Sequence, residues 1–151
     1  LPDRELIPPG GKEREWPMAR VTGIGGVFFK TADPAATQAW YRDQLGIESN
    51  PWGGSVFHWR TLEDAQERGY SVWAPFTKDA EKFAPSEQPY MLNYRVEDLA
   101  GLLADLRTAG VEVVGELEEH ENGKFAWIMD PEGHKIELWE PLDPAEDPYL
   151  P

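Results

Sequence analysis

The segment DPEGHKIELWEP, residues 130–141, joins a tight turn to a strand. Asp130-Pro131-Glu132-Gly133 carries proline second and glycine fourth, the order a type I turn favours. The strand after it alternates: if Ile136 and Leu138 lie beneath a helix, then Glu137 and Trp139 face the other way, into a cavity. Its closing triplet Trp139-Glu140-Pro141 has a counterpart 66 residues earlier, Trp73-Ala74-Pro75. Two more landmarks share nearly that offset. Asp33 and Asp98, each heading a helical stretch, are 65 apart, and Gly46 and Gly110, each ending one, are 64 apart. Three landmarks at one separation indicate an internal repeat.

The first copy begins with a strand at Val21–Phe29. Asp33-Pro34 supplies an N-cap followed by proline at the first helical position, and Gly46 stands where a left-handed cap ends the helix near Leu45. Ala36, Ala39 and Trp40 suit a helix lying on a sheet, and Trp40 and Trp59 are assigned to packing. Strands are expected at Ile47–Ser49, Ser55–Arg60 and Tyr70–Ala74. The second copy opens at Tyr90–Val96. Its helix, capped by Asp98, sets Leu99, Leu102, Leu103 and Leu106 on one face. Strands follow at Val111–Leu117, Lys124–Met129 and Lys135–Glu140, with Asn122-Gly123 marking a hairpin.

The fold so predicted is α+β, two βαβββ modules at about 20–75 and 89–141 forming a curved mixed sheet or half-barrel. They make one domain, 20–141, between a Pro-rich N-terminal arm, 1–19, and a tail of similar character, 142–151. A module this short cannot cover both faces of its own sheet. Two must associate, and the faces turned away from the helices line a shared cavity.

Composition narrows the function. A chain of 151 residues suits one domain, and the absence of cysteine excludes disulfides, thiolate metal sites and cysteine nucleophiles. Lys plus Arg number 14 against 28 Asp plus Glu, a net charge of −14, which repels nucleic acid and anionic membranes. No run reaches the roughly 20 apolar residues of a membrane span and no signal-peptide pattern opens the chain, so a cytoplasmic location is expected. Gly23-Ile24-Gly25-Gly26 lies within a strand and opens no helix. It reads as close backbone approach and not as a phosphate loop.

The stretches 33–46 (DPAATQAWYRDQLG) and 130–141, in this order and with the repeat, resemble the vicinal oxygen chelate superfamily, which includes glyoxalase I, bleomycin-resistance proteins, fosfomycin-resistance enzymes and extradiol dioxygenases. The resemblance spans about residues 20–141. It implies the fold and leaves the reaction open, because this scaffold serves lyases, isomerases, dioxygenases and binding proteins. It also implies a homodimer, which the N-terminal arm could brace. Catalytic members carry metal ligands at four inward positions, which here look like Gly26, Ser71, Met91 and Glu137. Only Glu137 among them binds a divalent ion well, so no metal and no other cofactor is expected. His58, His120 and His134 share no ligand spacing, and His120 is expected to face solvent among glutamates.

Strand alternation sends Gly26, Phe28 and Lys30, Ser71 and Trp73, Met91, Asn93 and Arg95, Phe125 and Trp127, and Glu137 and Trp139 inward. The expected site is an aromatic cavity for a small organic molecule. Phe28, His58, Ser71, Trp73, Met91, Trp127 and Trp139 contact the ligand, Glu137 is a candidate general base, and Arg95 or Asn93 holds a carbonyl or carboxylate oxygen. An internal Arg95–Glu137 ion pair is the structural alternative. Three functions stay open: metal-free lyase or isomerase chemistry, sequestration of a cationic aromatic compound without catalysis, and a metal-dependent lyase or dioxygenase with displaced ligands.

Overall fold

A computed structural model describes residues 19–150. All but Ala19 of the arm expected over 1–19 lies outside them. Among the described residues the chain forms β1 (Arg20–Thr31), α1 (Pro34–Leu45), β2 (Ser55–Arg60), β3 (Arg68–Thr77), β4 (Tyr90–Glu97), α2 (Leu99–Thr108), β5 (Glu118–His120), β6 (Gly123–Met129) and β7 (Lys135–Pro141). A 3₁₀ turn, Glu81–Phe83, interrupts the link between β3 and β4.

One mixed sheet of seven strands runs in the order β2-β3-β1-β4-β7-β6-β5. In each module the first strand lies parallel to the last, β1 beside β3 and β4 beside β7. The modules join through the antiparallel pair β1 and β4. The sheet curves enough that Tyr70 on β3 meets Trp139 on β7 at 5.3 Å between ring centroids, across the two intervening strands.

Both helices start and stop where their caps dictate. Asp33 Oδ1 accepts from the Ala36 N–H at 3.1 Å, and Gly46 takes φ 71°. Asp98 Oδ1 accepts from the Gly101 N–H at 3.1 Å, and Gly110 takes φ 83°. Leu99 and Leu103 of α2 are buried with Val96, Ala126, Ile128 and Leu138, the helix-facing side of β4, β6 and β7. A second cluster, Phe28, Ala74, Phe83 and Met91, sits on the concave side under the 3₁₀ turn.

Four local expectations are corrected. Residues 47–49 form no strand; Asn50 instead closes a turn, its N–H donating to Gly54 O at 2.7 Å. Over 111–117 only Val113 bridges to Ile128, because Gly115 at φ 73° breaks the extended run. Helix α1 buries no residue, and Trp40 is 56% exposed. Neighbouring side chains on a helix diverge by about 100°, and here Tyr41 takes the sheet side, against Phe29 and Trp73. The tail is no free extension: Asp147 is buried and the Tyr149 ring packs on Trp52 and Tyr70. Among the described residues no helix is long and apolar enough to cross a membrane.

Candidate functional site

Strand register sets five residues side by side across the concave face. Val72 pairs with Gly26, Gly26 with Asn93, Asn93 with Glu137, and Glu137 with Trp127. This row borders a cavity of about 790 Å³. Phe28, Val72, Phe76, Phe125, Trp127 and Trp139 line it, and Trp52, His120 and Glu121 also contribute. Phe125 stacks on Trp139 with ring planes 5° apart, giving a flat wall.

Glu137 is 1% exposed, and its carboxylate is held from three sides. Asn93 Nδ2 donates to Oε1 at 2.7 Å, and the Trp127 indole N–H donates to Oε2 at 2.8 Å. The third partner is Lys82, whose Nζ lies 3.3 Å from Oε2. A carboxylate taken out of water must be paired and hydrogen-bonded, and these donors meet that demand. Among the described residues the amide oxygen of Asn93, Oδ1, has no hydrogen-bond partner.

Lys82 was not visible as a site residue in sequence, because the stretch 77–89 (TKDAEKFAPSEQP) reads as a polar linker. The lone Phe83 within it was the available signal. That ring is fully buried, 5.6 Å edge-on from Phe76, and it pins the 3₁₀ turn over the end of the cavity. Lys135 secures the same turn by donating to the carbonyls of Lys82 at 2.7 Å and Ala84 at 2.8 Å, and burial pushes its pKa down. The Lys82 ammonium thus stands 5.1 Å above the Phe28 ring and 5.6 Å from that of Phe76, both cation–π distances.

The other expected residues divide. Phe28, Asn93, Trp127, Glu137 and Trp139 border the cavity. Ser71 and Trp73 do not, because β3 is offset by one residue from the expected register and turns Val72, Ala74 and Phe76 inward. Ser71 accepts from the Trp59 indole and donates to Ile24 O, while Trp73 packs beneath α1. Met91 is wholly buried in the cluster around Phe83. His58 is exposed on β2 beside a separate small groove, 3.3 Å from Tyr149 O.

Arg95 makes no ion pair with Glu137. Its guanidinium lies 4.8 Å from both the Trp59 and the Trp139 rings and donates to Tyr70 O at 2.9 Å. Burial pushes its pKa down, opposed by Tyr70 and Asp147. Arg95 therefore packs between these two rings and does not border the cavity.

The metal set implied by the resemblance does not fit. The row through Glu137 places Val72 and Asn93 where Ser71 and Met91 were expected, so two of its four inward positions, Gly26 and Val72, offer no donor atom. About three protein ligands are needed to hold such an ion. The single carboxylate is already engaged by an ammonium group, whose charge repels a dication. Among the described residues no three His, Cys, Asp or Glu side chains converge elsewhere, so the displaced set is not found either.

A family model for the glyoxalase-like domain matches residues 26–139. The chain belongs to the glyoxalase-like domain family. Solved structures with this fold include Streptomyces coelicolor methylmalonyl-CoA epimerase in complex with 2-nitronate-propionyl-CoA. It is 19% identical with a TM-score of 0.58, over 85% of this chain and 99% of that one. A glyoxalase/bleomycin resistance protein/dioxygenase superfamily member from Vibrio splendidus 12B01 is 16% identical with a TM-score of 0.51, over 81% and 98%. Among curated proteins none matches. At these identities the likeness shows a shared fold, and the chemistry of this glyoxalase-like domain rests on its own cavity.

Proposed function

We propose that this glyoxalase-like domain acts on a small organic molecule in its aromatic cavity by lyase- or isomerase-type proton transfer at Glu137, without a bound metal. The observation that supports it is a single buried carboxylate on the cavity row, oriented by donors from both flanking strands. A base so held is placed in advance of the substrate, and a positioned carboxylate contributes about 10²–10⁴-fold to proton transfer. The walls suit a flat or partly aromatic compound. The test is solvent-deuterium incorporation, followed by NMR, into a panel of 2-oxo acids, aryl ketones and acyl thioesters. Glu137→Gln should remove enzyme-dependent exchange while leaving the melting temperature within a few degrees. Equal exchange by the variant would sink the base assignment.

A second reading is favoured by a specific observation. Trp52, Trp127 and Trp139 border the cavity, Glu121 lies among its lining residues, and the whole chain carries a net charge of −14. That combination suits sequestration of a cationic aromatic compound without turnover. It requires salt-sensitive tryptophan quenching by basic aromatic ligands and no exchange chemistry in the panel.

A further inference from the structure

The cavity row lacks a donor set for a divalent ion, yet it is not without a cation. We propose that the Lys82 ammonium is the ligand-binding cation of this site. The molecule it receives presents an oxygen that carries or develops negative charge, as an organic carboxylate or an enolisable carbonyl compound does. This rests on the proposal of a small-molecule cavity and names its ligand class.

Three observations carry the inference. Lys82 borders the cavity with its side chain 39% exposed, so the ammonium is not sealed away. Among the described residues its only ion pair is the one to Glu137 at 3.3 Å. An ammonium has three N–H donors, so that contact leaves others to face a ligand, and the Phe28 and Phe76 rings that back it accept no conventional hydrogen bond. Its backbone is fixed by Phe83 and by the two donations from Lys135, and its ammonium is held by Glu137 and the Phe28 and Phe76 rings, so the charge has a built position. A fixed charge aimed where negative charge arises stabilises it without reorganisation.

The pairing also gives the two charges complementary work. When Glu137 takes a proton from carbon, the electron pair of that C–H bond forms a carbon–carbon double bond and the π pair of the adjacent carbonyl moves onto its oxygen. The resulting enolate oxygen accepts from Lys82 Nζ. Return of the proton from Glu137 to carbon restores the carbonyl, and no oxidant or co-reactant is consumed.

Calorimetric titration of the full chain with benzoate, benzamide and benzylamine tests it, since these probes share a ring and differ in charge. Benzoate should bind about tenfold more tightly than benzamide, with benzylamine weakest. Lys82→Met should cost benzoate about tenfold and leave benzamide within about twofold. Glu137→Gln should tighten benzoate by removing a neighbouring negative charge. Benzylamine binding tightest, benzoate no tighter than benzamide, or benzoate indifferent to Lys82→Met would each overturn the assignment and leave the cavity intact as a binding site. Binding of none of the three would overturn the cavity reading and this inference together. The wild-type series decides even if Lys82→Met does not fold; Lys82→Gln then serves as the charge-removing variant.

Discussion

Gly25 has no room for a side chain. A Cβ there would lie 2.1 Å from Asn93 Oδ1 and 3.0 Å from the Trp139 ring, whereas at Gly23 nothing lies within 4 Å. Gly25→Ala should therefore displace the Asn93 amide, strip Glu137 of its donor on Oε1 and cost about 2 kcal/mol of overpacking. Gly23→Ala should cost under about 0.5 kcal/mol. Urea unfolding of both measures the difference, and equal midpoints would mean that Asn93 is free to move. The inward aim of Glu137 and Trp139 was legible because Ile136 and Leu138 mark the helix-facing parity and leave the other one to Glu137 and Trp139. That of Val72, Ala74 and Phe76 was not. The stretch Ser-Val-Trp-Ala-Pro-Phe is apolar on both parities, so alternation could not choose between them, and Trp73 was given to the cavity when it belongs under α1.

Among the elements, the link between β3 and β4 has the most at stake, because it delivers Lys82. Lys135 donates to two of its carbonyls, and Lys135→Met would leave both without that partner at a cost of about 2 kcal/mol. Proteolysis within residues 77–89 should become faster than in the parent chain while the melting curve stays cooperative; unchanged cleavage would show that Phe83 alone holds the turn. On the opposite face, α1 rests through Tyr41 on Phe29 and Trp73. Trp73→Ala should cost about 3 kcal/mol, whereas Trp40→Ser should fall within about 0.5 kcal/mol, both read from urea midpoints. Helix ends were readable to the residue from Asp33, Gly46 and Asp98, since caps act locally. The strand expected at 111–117 failed because its fate depends on φ at Gly115, and the link drew no reading because one phenylalanine in a polar run is a weak signal.

At the scale of the molecule, the repeat of 64–66 residues foretold two modules and a curved sheet, but not what fastens the curve. A proline-rich tail has no period to read. In the fold it lies back on β3, where the Tyr70 hydroxyl donates to both oxygens of Asp147 at 3.1 and 2.9 Å, and the Tyr149 hydroxyl donates to Glu121 at 2.8 Å. The tail thereby bridges from β3 to the hairpin of β5 and β6, on the far side of the cavity. Burial raises the Tyr70 pKa well above its ordinary value of 10.0, and the bond to Asp147 adds to the rise. The unfolded chain releases this proton near its ordinary pKa while the folded chain keeps it. The stability it contributes is fully present below pH 10.0 and is lost as pH climbs through the higher folded value. Tyr70→Phe cannot ionise and leaves buried Asp147 short of a donor, so at about pH 8 it should be less stable by about 2 kcal/mol. Above pH 10.0 the wild type should lose up to about 1.4 kcal/mol per pH unit that the variant does not. The gap between their urea midpoints should therefore narrow by about pH 11, with the same raised direction at Tyr149 common to both. A gap constant from about pH 8 to 11 would mean that the Tyr70 hydroxyl and Asp147 do not hold the tail on β3.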